Sequence, residues 1–341
     1  MFRPLSSFSS AESFSKSDTV RDEKETRPSL DMLRARAELL KKLRGFFDDR
    51  GFLEVETPTL SHDSVIDEHL DPLRVTLFSD PREPATGETL WLQTSPEFGM
   101  KRLLAAGATA IYQICRAYRG GEVGPSHNPE FTMLEWYRVG DDYAAGRQLL
   151  SDLTMATLGC EVVDQLTFRE AFLKFAAVDP ITASVAELQS VLGAAADGDR
   201  GFLLDRVLVD RVEPQLGRDR PLILYDYPAD QAALAQVRPA DDSGNPAVAE
   251  RFELYFRGIE LANGYHELLD PAVLRERNRS NNERRLAAGK YPLPEDSRLL
   301  PAMEQGLPPC AGCALGVDRL LMVATGAKTI QEVIAFTIDQ A

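Results

Sequence analysis

The sequence predicts an α+β fold, a mostly antiparallel sheet flanked by helices. Three observations lead there. Apolar residues recur at helical spacing in some segments and with a period of two in others. These segments run in the order strand, hairpin, helices, strands, helix. That order lacks the βαβα alternation of a doubly wound parallel sheet. Hydrophobic residues make up 44% of the chain and charged residues 27%, which excludes wholesale disorder and a fibrous repeat.

Residues 1–28 are dominated by serines and charges and are expected to form a disordered tail, with one domain over residues 29–341. Helix signals begin after Pro28 and Ser29. Leu33, Ala37, Leu40, Leu43 and Phe47 recur at helical spacing, and Gly51 is placed to end the helix. Residues 52–57 read as a strand stopped by Pro58. Residues 91–97 are a second strand running into a turn, and 100–106 a short helix. Residues 110–118 and 131–139 read as a hairpin around the breaker-rich loop 120–126. The middle third reads mostly as helix, with capping boxes at Thr167/Glu170 and Ser184/Glu187. Residues 221–227 and 251–262 are strand candidates, the second ending at an Asn263-Gly264 turn. Residues 270–289 read as a very polar surface helix. Residues 316–325 read as a helix with Val317, Leu320, Leu321 and Ala324 inward, closed by Gly326.

The chain has 341 residues, with 38 Lys or Arg against 53 Asp or Glu, a formal charge of −15. That balance argues against gripping nucleic acid over a broad surface, because phosphate contacts require Lys and Arg. No apolar run of about 18 residues occurs, so no membrane helix is expected. Four cysteines are too few for a disulfide framework and point to a reducing cytoplasm. Cys310 and Cys313 have C-x-x-C spacing, but a second such pair, which a zinc site would use, is missing.

Period-two alternation puts Phe131, Met133, Glu135 and Tyr137 on one strand face. A carboxylate among aromatics is costly unless it meets a cation, so Glu135 is a candidate ligand-facing residue. Glu260 and Glu267 flank Asn263-Gly264. A turn there would let the two converge on a divalent cation or a cationic substrate; the alternative is two unrelated surface acids. Arg116 and Arg119 stand at the mouth of the Gly-rich loop 120–128, a combination suited to phosphate. Arg319 adds another positive charge. The chain contains no G-x-G-x-x-G, P-loop, H-E-x-x-H or G-x-S-x-G motif, so dinucleotide-fold, P-loop and covalent hydrolase readings lack support.

Together these residues resemble the class II aminoacyl-tRNA synthetase catalytic domain, in its lysyl branch. Gly51-Phe52-Leu53-Glu54-Val55-Glu56-Thr57-Pro58 looks like motif 1, which implies a homodimer. Arg119 through Glu135, with His127-Asn128-Pro129-Glu130-Phe131-Thr132-Met133-Leu134-Glu135, looks like motif 2. Gly312-Cys313-Ala314-Leu315-Gly316-Val317-Asp318-Arg319 looks like motif 3. Glu260-Leu261-Ala262-Asn263-Gly264-Tyr265-His266-Glu267 is similar to the lysyl-type substrate segment.

Two departures point to stand-alone paralogues of that branch. The stretch before the first helix is too short for an anticodon-reading OB barrel of five strands. Ala314 stands where the lysyl pattern has glycine, which narrows the pocket by a methyl. The resemblance implies ATP-dependent activation of (R)-β-lysine or lysine, and its transfer to a lysine of elongation factor P without tRNA. It further implies that Arg119 binds the ATP α-phosphate and Arg319 the γ-phosphate. Glu122, His127, Asn128, Phe131, Leu261 and Gly316 would hold the nucleotide, and Glu260 and Glu267 would bind Mg2+. Ser95, Glu97, Glu135, Tyr137, Asn263, Glu267 and Ala314 would line the amino-acid pocket. Rival readings are a truncated synthetase acting on tRNA or a small molecule, and a non-catalytic synthetase paralogue. The second is disfavoured by the retained Arg119 and Arg319.

Overall fold

The computed structural model describes residues 29–193 and 196–341; the expected disordered tail lies outside them. Helix α1 (Leu30–Asp48) leads into the short β1 (Leu53–Glu54). A small sheet follows, built from β2 (Leu60–Ser61), β3 (Leu73–Leu77) and β4 (Glu88–Leu92). Helix α2 (Glu97–Ala105) precedes the hairpin of β5 (Ala110–Tyr118) and β6 (Glu130–Val139). Then come α3 (Tyr143–Leu158), β7 (Asp164–Thr167), α4 (Phe168–Phe175), α5 (Val185–Leu192) and α6 (Arg200–Val207). Strands β8 (Leu222–Pro228), β9 (Val237–Arg238), β10 (Val248–Phe256) and β11 (Ile259–His266) follow. Last are α7 (Pro271–Ala287), α8 (Leu299–Gly306), β12 (Cys310–Gly316) and α9 (Val317–Thr325).

The main sheet runs β1-β5-β6-β12-β11-β10-β8-β7, with β9 added on β10. Only the outer pairs β1–β5 and β7–β8 are parallel, so the sheet is mostly antiparallel, as the element order predicts. Its centre joins distant segments: β12 lies between β6 and β11. One face packs on α1, α3 and α9 through Leu43, Phe47, Trp136, Leu150 and Leu320. Helix α1 buries Leu39, Leu43, Phe46 and Phe47, so the stripe lies slightly round from Leu33 and Ala37. Ser29 caps it by accepting from the Met32 N–H. Both predicted capping boxes form, at α4 and α5. Gly326 closes α9 in the left-handed conformation at φ +79°.

Three local expectations are corrected. The strand predicted over 251–262 is two strands, turned at Arg257 (φ +55°) and Gly258 (φ +72°). Asn263 and Gly264 do not turn; they continue β11. Gly264 is there for space, since a Cβ would fall 2.4 Å from the Phe252 ring on β10. Helix α7 is not a plain surface helix: Asn278, Asn282 and Arg285 are buried. On successive turns, Arg277 donates to the Ala233 and Ala235 carbonyls, Asn281 to that of Ile66, and Arg285 to those of Asp67 and Leu70. A helix buried through polar groups satisfied by loop carbonyls carries no apolar stripe, and so reads as exposed.

Candidate active site

Three central strands make the floor of one cavity of about 350 Å³. Register sets its rows. Glu135 on β6, Ala314 on β12 and Asn263 on β11 lie side by side. Tyr137, Gly312 and Tyr265 form the next row. Phe131, Met133, Glu135 and Tyr137 all face the cavity, as the alternation predicts, while Leu134 and Trp136 enter the core behind. Gly312 is an opening rather than a hinge: a Cβ would meet the Tyr137 ring at 2.2 Å and Glu267 Oε1 at 2.5 Å.

One end is a buried cluster of carboxylates. Glu135 accepts from Ser95 Oγ at 2.7 Å and from the Tyr137 hydroxyl at 2.5 Å. Glu97 opens α2, and one turn on Lys101 donates to its Oε1 at 2.5 Å. The same Lys101 ammonium meets Glu267 Oε2 at 2.5 Å. Burial and the nearby Glu97 push Glu135 up to about 7. Burial likewise raises Glu267, to about 8, although Lys101 opposes it. Burial pulls Lys101 down, but Glu267 and Glu97 outweigh it and hold the ammonium charged. Three carboxylates against one lysine leave an excess of negative charge that a bound cation would neutralise.

The other end carries arginines on loops and at a helix start. Arg319, in the first turn of α9, donates to the Ser126 carbonyl at 3.3 Å, the Glu260 carbonyl at 3.0 Å and Glu260 Oε2 at 3.4 Å. Its Nη2 is 2.6 Å from His127 Nε2. Burial and the Arg319 charge lower His127, so the ring is neutral and accepts this bond. Arg119 lies 5.1 Å from the Phe131 ring centre, and its buried Nε has no hydrogen-bond partner. Glu122 approaches His127 Nε2 at 4.0 Å. Asn128 spends its amide inside the protein, donating to the Glu130 carbonyl and accepting from the Ile338 N–H. Gly316 and the backbone of Leu261 border the cavity, while the Leu261 side chain lies in the core.

Glu260 and Glu267 do not converge. Glu260 lies near the start of the extended β11 and Glu267 just past its end, seven residues on, which is about 23 Å at 3.3 Å per residue. Glu267 pairs with Lys101, and Glu260 with Arg319. A shared cation between them is therefore excluded. Beside Glu260 stands Glu253 of β10, which burial surrounds with Arg251 and the hydroxyls of Tyr227 and Tyr255. Burial and Glu253 raise Glu260. Among the described residues, no cluster of three or more His, Cys, Asp or Glu is arranged to hold a metal alone. Cys310 and Cys313 are free thiols on β12, and burial pushes Cys310 up to about 12, so neither a redox pair nor a zinc site forms there.

Sequence reasoning missed Lys101, Arg251, Glu253 and Gly312. The i,i+4 spacing of Glu97 and Lys101 was a readable signal. The other three owe their place to pairing across strands.

A large, mostly antiparallel sheet flanked by helices, with one cavity on its floor, fits a class II synthetase catalytic domain. The chain belongs to the family described as tRNA synthetases class II (D, K and N), whose model matches residues 23–340. It is 47% identical over 313 residues to the protein of Klebsiella pneumoniae subsp. pneumoniae named elongation factor P–(R)-beta-lysine ligase. The Edwardsiella ictaluri protein of the same name is equally similar. Each alignment covers 90% of this chain and 94% of the relative. No helix among the described residues is long and apolar enough to cross a membrane.

Proposed function

We propose that this chain is an ATP-dependent, AMP-forming ligase that activates (R)-β-lysine or lysine and transfers it to a lysine ε-amine of elongation factor P. The observation that carries the reading is the polarity of this cavity, with unspent arginine at one end and excess carboxylate at the other. A substrate carboxylate attacks the α-phosphorus of ATP, pyrophosphate leaves, and an aminoacyl-adenylate forms. The acceptor amine then attacks the acyl carbon and AMP leaves. This chemistry needs positioned charge rather than a covalent nucleophile.

Arg119 faces the α-phosphate and stabilises the charge that builds there, while Phe131 stacks on adenine. Arg319, oriented by neutral His127, holds the γ-phosphate. Glu122, Asn128, the Leu261 backbone and Gly316 frame the nucleotide. Ser95, Glu97, Glu135, Tyr137, Asn263, Glu267 and Ala314 line the amino-acid end. Mg2+ keeps several waters and takes one or two carboxylates with the phosphates, and Glu260 backed by Glu253 suits that demand. The ion would neutralise the departing pyrophosphate. The reading includes a homodimer, supported by Leu53 standing 63% exposed on β1. It is also cytoplasmic and independent of tRNA, in keeping with a charge of −15.

The test incubates purified protein with ATP, Mg2+ and (R)-β-lysine or lysine, with elongation factor P or tRNA as acceptor, and weighs the products. A mass gain of one lysine residue on elongation factor P alone is expected. A gain only on tRNA, or on neither, would reject the assigned acceptor.

A further inference from the structure

Lys101 has no part in the chemistry described above, yet it is 2% exposed and lies behind the cavity wall rather than in it. A buried ammonium is costly unless it is paired, and this one is paired twice. It donates to Glu97 Oε1 from within α2 and meets Glu267 Oε2 beyond the end of β11, at 2.5 Å in each case. Those two acids reach the cavity from different elements, and Lys101 is what joins them. The ring of Tyr137 closes the arrangement, 5.9 Å from the ammonium. Glu267 is confined on its other side by Gly312, whose missing Cβ leaves room for Oε1.

Counting charge at this end gives Glu97, Glu135 and Glu267 against Lys101, three negative and one positive, or −2 when all are ionised. We propose that Lys101 is a positioning residue that holds Glu97 and Glu267 in place from behind and sets the pocket two charges short of neutrality, so that it selects a ligand with two ammonium groups. This rests on the functional reading above and adds to it the residue that fixes the charge requirement. With Lys101 absent, the three acids would repel one another and take up protons, and the ligand ammonium groups would lose their counter-charges. The loss falls on binding of the amino acid. ATP binding at the arginine end has no contact with Lys101.

The test uses the full chain and steady-state ATP–pyrophosphate exchange, comparing wild type with Lys101→Met. The expected result is a KM for the diamino acid raised at least about tenfold, with kcat changed by less than about threefold and the KM for ATP unmoved. In Lys101→Ala, whose short side chain leaves the space open, ethylammonium at millimolar concentration should restore part of the lost affinity by filling the vacated cationic site. A merely structural lysine would instead lower kcat and disturb both KM values, without rescue. An unchanged KM for the diamino acid in folded Lys101→Met would overturn the proposal.

Should Lys101→Met fail to fold, the wild-type protein still tests the charge requirement on which the role of Lys101 depends. Calorimetry would compare 1,5-diaminopentane with 1-aminopentane, the same chain carrying one ammonium. The diamine is expected to bind at least about tenfold more tightly. Equal affinity would overturn the charge requirement. Wild-type exchange with no amino acid at all, alongside tight diamine binding, would reject the ligase reading while leaving the charge inference standing.

Discussion

The two ends of the cavity are built to different standards. At the carboxylate end Glu97, Lys101, Glu135 and Glu267 are 7% exposed or less, and each is held by at least one charged or hydroxyl partner. They stand on strands, on a helix start and just past a strand end, and neighbouring strands fix their spacing. At the arginine end the groups are half-buried, Arg319 leans on the Ser126 and Glu260 carbonyls, and Arg119 leaves its Nε without a partner. The difference separates two tasks. Rigid buried charge discriminates between ligands that differ by one ammonium, because a mispaired group there cannot turn to water. On the proposed reading the more loosely held arginines meet a polyphosphate, whose many oxygens tolerate several geometries.

The largest effect should come from the arginine end. Arg119→Ala is expected to lower ATP–pyrophosphate exchange by at least about 100-fold, since on the proposed reading it removes a charge aimed at the reacting phosphate. An activity within tenfold of wild type would mean that the unspent guanidinium has another use.

The next effects strike the cavity's walls. Arg285 is fully buried and ties α7 to the loop at residues 67–71 through two carbonyls and Asp71. Arg285→Met should cost about 2–3 kcal/mol in urea unfolding, because carbonyls and a carboxylate lose their donor together. Gly312→Ala tests the fit directly. Its methyl displaces Tyr137 and Glu267, so the KM for the amino acid should rise about tenfold while that for ATP stays put.

A smaller and reversible effect is the response to pH. Glu135 lies near 7 in the folded protein against an ordinary 4.5, mainly through burial and then Glu97. The folded state therefore binds more protons than the unfolded state between those values, and stability falls as pH rises through that window. Amino-acid affinity moves the opposite way, since the ligand ammonium needs the carboxylate. Melting curves at pH 5.5 and 8 should show the free protein losing Tm at the higher pH, with saturating diamino acid reducing that loss. A free protein more stable at pH 8 would contradict the assignment of Glu135. The smallest effect should follow Asn128→Ala, which unties the loop from the Ile338 N–H and should shift the KM for ATP only a few-fold.

Much of this was legible in sequence, for identifiable reasons. The β5–β6 hairpin and the face of Glu135 follow from a period of two that no other element disturbs. The helix ends follow from capping boxes that the structure forms. The misreadings share a cause. Asn263-Gly264 carries the local signal of a turn, but the glycine answers to Phe252 on the neighbouring strand. The expected meeting of Glu260 and Glu267 depended on that turn. Helix α7 buries asparagine and arginine, which composition assigns to water. Lys101 becomes meaningful only once β11 brings Glu267 to α2. Local propensity and spacing report single elements, whereas these residues answer to partners chosen by the sheet order.

The most direct measurement is ATP–pyrophosphate exchange across a panel of amino acids, run on wild type and Arg119→Ala side by side. The account predicts exchange that requires two ammonium groups on the amino acid and is lost when Arg119 is removed. Folded wild-type protein that exchanges with no amino acid, or equally well with those carrying one ammonium, would contradict it.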